Sequence, residues 1–175
     1  LKLNPNKSEV ILFTPKGNQS PIQNWITSLD AFSCSLSLSD LIKSLGLTLD
    51  KSMPMSKHIK SSANSAFCTL KTLRKIIPFI PLEDLKTVVQ SLFLSKLDYA
   101  NATIIGTPQG HLAPMRVTFH AAAMLITGAK RHDHITPTLK KLKWLPLEKR
   151  CTFKMACLTH KTLHTNDLEY LTFKL

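Results

Sequence analysis

Apolar residues recur every three or four positions across residues 82–128, the spacing that places them on one face of a helix. Residues 106–110 (Gly-Thr-Pro-Gln-Gly) divide this pattern into two runs, because proline lacks an amide hydrogen and glycine loosens the backbone. We therefore expect an antiparallel helical hairpin with its turn at 106–110. Small residues at 121–123 allow another helix to approach closely. The apolar positions are Leu85, Val88, Val89, Leu92, Tyr99, Leu112, Met115, Phe119, Ala122, Ala123 and Ile126.

A helix is also predicted on the N-terminal side of this hairpin. It begins near Pro54 and ends before Pro78 and Pro81. These prolines also favour the start of the next helix. Glu83 and Asp84 suit the positive N-terminal end of that next helix. The expected buried positions of the N-terminal helix are Ile59, Ala63, Phe67, Leu70, Leu73 and Ile77.

Two helices are predicted after the hairpin. Thr136 and Pro137 form a good cap and first turn for a short helix through residue 142. Residues 144–146 (Trp-Leu-Pro) interrupt the helical pattern and are interpreted as a packing wedge rather than a base-stacking platform. A fifth helix is expected at 148–164, with the following residues facing inward: Phe153, Ala156, Cys157, His160 and Leu163.

The first fifty residues have strand-like patterns instead. Residues 9–14 form a short β-branched and aromatic run, and residues 32–38 alternate apolar residues with serine. Residues 43–49 are expected to pair with 32–38 as a hairpin. The fold class is therefore mainly α, a helical bundle of about five helices with a small N-terminal β segment. The expected domains are residues 1–53 and 54–175.

The charge of the chain is concentrated in its helical part. The net charge is +12; residues 1–50 contain four Lys or Arg and four Asp or Glu, so all of the excess lies from Lys51 onward. Such an imbalance favours a polyanionic partner, although a lysine-rich surface also aids solubility. The candidate phosphate contacts are Lys57, Lys60, Lys71, Arg74, Lys75, Lys130, Arg131, Lys140, Lys141 and Lys143.

Catalytic motifs are not evident. The seven aspartates are scattered, with no Asp-Asp or Asp-x-Asp pair to hold the metal ions of a nucleotidyl transferase. Cys157, His160 and His164 have a spacing compatible with zinc, but we favour a core role and expect no metal site. Asp98 and Asn101 are interpreted as structural residues. No run is long enough to cross a membrane, and the four cysteines favour a reducing, intracellular compartment.

Several short blocks occur in one order along the chain and together resemble the C-terminal part of the reverse transcriptase of LINE-type (non-LTR) retrotransposons. The blocks are residues 3–9 (LNPNKSE), 44–50 (SLGLTLD), 97–101 (LDYAN), 121–128 (AAAMLITG), 134–137 (HITP) and 144–146 (WLP). The resemblance implies a polymerase palm remnant at 1–53 and a thumb-like helical domain at 54–175. It also implies that Ala100, His120, Met124 and Lys143 depart from the family's usual residues.

The resemblance assigns roles to residues of the palm remnant. Lys7 falls where the family places a lysine near the incoming nucleotide's phosphates, and Leu45, Gly46 and Leu47 resemble the primer grip. The Asp-Asp box and the fingers lie upstream in the family, so the parent enzyme's Mg²⁺ would be held there and this fragment would hold no cofactor. It would not polymerise alone.

The expected partners are an RNA–DNA hybrid or other nucleic acid and the upstream fingers and palm, in the nucleus or the cytoplasm. Two alternatives stay open, a non-catalytic nucleic-acid-binding module and a helical protein-interaction scaffold.

Overall fold

The computed structural model describes residues 4, 8–13, 28–31, 34–51, 55–130 and 132–165. The chain divides into two compact units, Leu1–His58 and Ile59–Leu175. Most described residues are helical, which confirms the prediction of a mainly α protein with a small N-terminal β part.

The described strands of the N-terminal unit form two antiparallel hairpins. Strand β1 (Ser28–Ala31) pairs with β2 (Cys34–Ser37), and β3 (Leu41–Ser44) pairs with β4 (Leu47–Asp50). In β2, Leu36 is buried, as the apolar alternation predicts. An isolated parallel bridge joins Val10 to Leu38.

The predicted strand pairing was wrong. Residues 43–49 do not return along 32–38; they close on themselves through Leu45 and Gly46, whose φ angles are +47° and +79°. Two successive positive φ values match the right-handed twist of paired strands, so this tight local turn is favoured over a longer connection. The predicted strand at 9–14 is reduced to the bridge at Val10 among its described residues.

Five helical segments follow in the described residues from 55 onward. Helix α1 is Ser56–Ile76; the second segment joins α2 (Leu82–Val89), a π-helical turn (Gln90–Leu94) and α3 (Ser95–Asp98). After a 3₁₀ turn at Asn101–Ile104 come α4 (Gln109–Thr127), α5 (Ile135–Leu142) and α6 (Leu147–Thr165).

The buried face of α1 follows a spacing of alternately four and three residues. Its members are Ile59, Ala63, Ala66, Leu70 and Leu73, all less than 4% exposed. The expected core residue Phe67 is instead 44% exposed, because the smaller neighbour Ala66 occupies the inward position. Ile77 lies beyond the end of α1, in a 3₁₀ turn.

The π-helical turn changes which residues of the second segment are buried. Leu85, Val89, Phe93 and Leu97 lie inside at a regular spacing of four, whereas the expected core residues Leu92 and Tyr99 are at least half exposed. A π turn holds more residues than an α turn, so the buried row advances by four instead of alternating.

The first helix of the predicted hairpin ends earlier than expected. It stops at Asp98, and Ala100 takes a left-handed φ of +52° before the 3₁₀ turn. The second helix, α4, buries Leu112, Met115, Phe119, Ala122 and Ala123 as predicted, while Ile126 is half-buried. It ends at Gly128, whose amide donates to the carbonyl of Met124.

The start of α5 lies two residues before the predicted one. His134 occupies the N-cap position, so Thr136 and Pro137 are inside the first turn. Lys143 ends the helix with a φ of +57°. The next residue, Trp144, is buried and lies 5.4 Å from the ring centroid of Phe119, as expected of a packing wedge.

Helix α6 presents the opposite face from the one predicted. Leu147, Cys151 and Thr162 are buried. Two ion pairs set this rotation, from Glu148 and Arg150 in its first turn to Arg116 and Asp98 on other helices. The residues expected inside are exposed: Phe153, Ala156, Cys157, His160 and Leu163.

Candidate nucleic-acid interface

Four cations form a row along the exposed side of α1. The row, here called the basic stripe, consists of Lys60, Lys71, Arg74 and Lys75, and all four are exposed. At 3.6 residues per turn they fall within an arc of about 100°, over a helix length of about 22 Å. Lys57, also exposed, lies on the first turn of the same helix. The helix contains no acidic residue.

The cations of the basic stripe are available for an external anion. In the described part of the helical unit, the ion pairs are those of Arg116 with Glu148 and of Arg150 with Asp98, and neither involves the stripe. Exposed ammonium and guanidinium groups without an internal carboxylate partner keep their full attraction for phosphate.

An exposed aromatic residue lies among these cations. Phe67 is 44% exposed, and the Nζ atom of Lys71 lies 5.1 Å from its ring centroid. The ring attracts the ammonium group electrostatically and so restricts its position. The apolar periodicity predicts Phe67 in the core, which is wrong; its position between Lys60 and Lys71 on the same side of the helix is the sequence signal for a surface role.

The other candidate cations lie on separate elements. Lys140 and Lys141 are exposed in the last turn of α5, where they also complement the helix dipole, and Lys143 follows them. Lys130 is exposed in the loop after α4, and its backbone amide donates to Asp133 Oδ2 at 2.7 Å. Lys7 and Arg131 lie outside the described residues.

The hairpin of β3 and β4 presents its turn to solvent. Leu45 is 87% exposed at the tip, and Gly46 supplies the second positive φ of the turn. Leu47 begins the returning strand, opposite Ser44.

Asp98 joins two parts of the helical unit. Its Oδ1 accepts hydrogen bonds from Arg150 Nε at 3.0 Å and from Asn101 Nδ2 at 3.1 Å, and its Oδ2 pairs with the Arg150 guanidinium. Asn101 is 3% exposed. These hydrogen bonds give Asp98 and Asn101 the structural role that the sequence predicts. The sequence does not predict Arg150 as the partner of Asp98.

A second charged cluster connects α4 with α6. Arg116 Nε donates to Glu148 Oε1 at 2.9 Å. Burial acts to raise the pKa of Glu148, but a backbone hydrogen bond and Arg116 outweigh it, and the pKa is lowered. Burial, reinforced by Arg116, lowers the pKa of the neighbouring His120. Burial also raises the pKa of the Cys151 thiol, which keeps it protonated.

The histidines of α6 do not line the core. His160 and His164 are exposed with ring centroids 4.2 Å apart, and Cys157 is exposed on the same helix. In the part of the chain that the structure describes, no group of three or more His, Cys, Asp or Glu side chains is arranged to hold a metal ion. Within the same residues, no helix has the length and apolar character needed to cross a bilayer.

Comparison of the chain with protein-family models, with curated protein sequences and with solved structures finds no match.

Proposed function

We propose that this chain is the back of the palm and the thumb of a LINE-type reverse transcriptase, and that its helical part holds the template–primer duplex. The proposal rests on the order of the six sequence blocks and on one structural observation, the basic stripe of α1. The whole enzyme would perform RNA-directed DNA synthesis, and this fragment would bind nucleic acid without polymerising.

The basic stripe suits the sugar-phosphate backbone of a duplex. A duplex carries phosphates along its whole length, at about 3.4 Å per step on each strand. Lys71, Arg74 and Lys75 lie within about 6 Å of helix length and can face neighbouring phosphates, whereas Lys60, about 17 Å further along the helix, would face a separate one. Contacts of this kind recognise charge and shape rather than base sequence, as holding a moving template requires.

The hairpin tip supports the assignment of residues 45–47 as a primer grip. An exposed tight turn with a glycine permits close approach of the backbone to another chain. Lys7 would act near the phosphates of the incoming nucleotide only when the upstream palm is present.

The Mg²⁺ implied for the parent enzyme does not fit the described residues of this chain. Their carboxylates are dispersed, and Asp98 and Glu148 are engaged by arginines. In the proposed parent enzyme, acidic residues of the upstream palm would hold the metal ion.

A protein-interaction scaffold is the second candidate. The exposed apolar residues Phe153, Ala156 and Leu163, which share one face of α6, favour it, since a helix face of this kind can receive a partner helix. A non-catalytic nucleic-acid-binding module would share the stripe but would not work as part of a polymerase.

Binding to a blunt RNA–DNA hybrid tests the proposal. Replacing Lys71, Arg74 and Lys75 together with alanine should weaken binding more than tenfold, equally for hybrids of unrelated sequence. The matched control removes three cations outside the stripe: Lys86, Lys149 and Lys161. A similar loss in both triple variants, or a loss confined to one sequence, would argue against backbone recognition by the stripe.

A further inference from the structure

A cavity of about 270 Å³ lies where the end of the second helical segment meets the residues after α5 and the first half of α6. Its walls include Asn101, Lys143, Phe153 and Lys154, and the Asp98–Arg150 ion pair closes one side. This volume is slightly below the lower limit of about 300 Å³ for pockets that take drug-sized ligands. The occupant is thus limited to a small molecule or a single unit of a polymer.

The cavity has a net positive charge. Asp98 neutralises Arg150, whereas Lys143 and Lys154 are exposed and, within the described residues, form no ion pair. Two free ammonium groups complement one phosphate group, which carries between one and two negative charges near neutral pH.

Phe153 adds an aromatic surface to the same cavity. Its side chain is 60% exposed, although an apolar ring of this size normally gains from burial. Phe153 and Lys154 follow Arg150 by three and four positions, so the ring and the ammonium group lie on the helix face that Asp98 holds toward the cavity.

Asn101 supplies an acceptor that has no partner among the described residues. Its amide nitrogen donates to Asp98, and its Oδ1 is buried without a hydrogen bond. A buried acceptor is stabilised by a donor such as a base amino group or a ribose hydroxyl.

We propose that this cavity binds one nucleotide, with the base on Phe153, the phosphate between Lys143 and Lys154, and a ligand N–H or O–H directed to Asn101. The same chemistry describes a free nucleoside monophosphate and an unpaired nucleotide of a bound strand. The inference rests on the proposed nucleic-acid function, which it extends from the duplex to an unpaired nucleotide beside it.

The test compares the full chain on a blunt RNA–DNA hybrid and on the same hybrid with one unpaired nucleotide at an end. The unpaired nucleotide should strengthen binding about tenfold, within the range that stacking of one base on an aromatic side chain provides. Phe153→Ala should abolish this gain and leave binding of the blunt hybrid unchanged. Phe79→Ala, which removes a more exposed ring outside the cavity, should retain the gain.

The phosphate contacts and the source of the nucleotide are tested with AMP. Competition of AMP with the unpaired nucleotide, lost in Lys154→Ala but kept in Lys149→Ala, would support the cavity as a site for free nucleotides as well. A gain from the unpaired nucleotide without AMP binding would support the site and assign it to the strand. Equal affinity for blunt and extended hybrids, with no AMP binding, would overturn the proposal, as would equal competition by ribose phosphate. Absence of hybrid binding in the wild-type chain would instead contradict the proposed function, whereas AMP binding that is lost in Lys154→Ala would still support the cavity.

Discussion

The guanidinium of Arg150 on α6 pairs with the carboxylate of Asp98 at the end of α3, with Nε 3.0 Å from Oδ1. The two side chains are 21% and 32% exposed, so water screens the pair only in part. The same carboxylate accepts a hydrogen bond from Asn101, a buried residue of the following 3₁₀ turn. One acidic group therefore holds the last helix, the second helical segment and the turn after it together.

Replacing Asp98 with alanine should destabilise the helical unit by about 1–3 kcal/mol, because two donors lose a partly buried acceptor. Urea unfolding followed by circular dichroism would measure this free energy. Asp40→Ala breaks the exposed Lys51–Asp40 pair and serves as the control, with an expected change below about 1 kcal/mol. Equal effects of the two substitutions would show that Asp98 does not anchor the bundle.

The contact between Phe119 and Trp144 should dominate the stability of the core around α4. Phe119 is fully buried, so Phe119→Ala should cost about 3–5 kcal/mol of unfolding free energy. Phe79, which is 84% exposed, provides a matched substitution, and Phe79→Ala should leave the unfolding midpoint nearly unchanged. A small effect of Phe119→Ala would contradict the burial of this ring.

The helical periodicity predicted the buried faces of α1 and α4 well, because each helix packs through a row of apolar residues. It failed for α6 because two ion pairs, Glu148 with Arg116 and Arg150 with Asp98, set the rotation of the helix. These pairs join residues far apart in the sequence, and no local pattern indicates them. The π-helical turn at Gln90–Leu94 is likewise a tertiary effect, which moved Leu92 and Tyr99 to the surface.

The candidate site was predictable only in part for similar reasons. The cations of α1 could be read from the sequence, since an exposed helical stripe follows directly from their spacing. The cavity lined by Asn101, Phe153 and Lys154 could not be predicted from the sequence, because it depends on which face of α6 packs against the other helices. Strand pairing was missed where the two-residue turn at Leu45 and Gly46 offered a shorter connection than the predicted one.

Acidification should destabilise the helical unit as the pH falls through 6.5. Burial, with Arg116, lowers the pKa of His120 from 6.5 in the folded chain. As the pH falls, His120 therefore binds a proton in the unfolded chain before it does so in the folded chain. The stability that depends on neutral His120 is therefore present above pH 6.5 and lost below it. The free energy of unfolding, measured by urea titration, should be lower at about pH 5.5 than at about pH 8.

His120→Gln should reduce this decrease, since glutamine does not titrate. Part of the decrease should persist, because burial also lowers the pKa of His58. The lowered pKa of Glu148 adds a second loss only when the pH falls below 4.5. Identical pH profiles for His120→Gln and the wild-type chain would exclude His120 as a source of the acid sensitivity.

The salt dependence of hybrid binding tests the central claim most directly. Four cations of the basic stripe, each neutralising one phosphate, predict a slope of about −4 for the logarithm of the association constant against the logarithm of salt concentration. The variant with alanine at Lys71, Arg74 and Lys75 should have a slope shallower by about 3, since three phosphate contacts are lost. A flat salt response of the wild-type chain, or an unchanged slope in this variant, would contradict the claim that the stripe holds the duplex backbone.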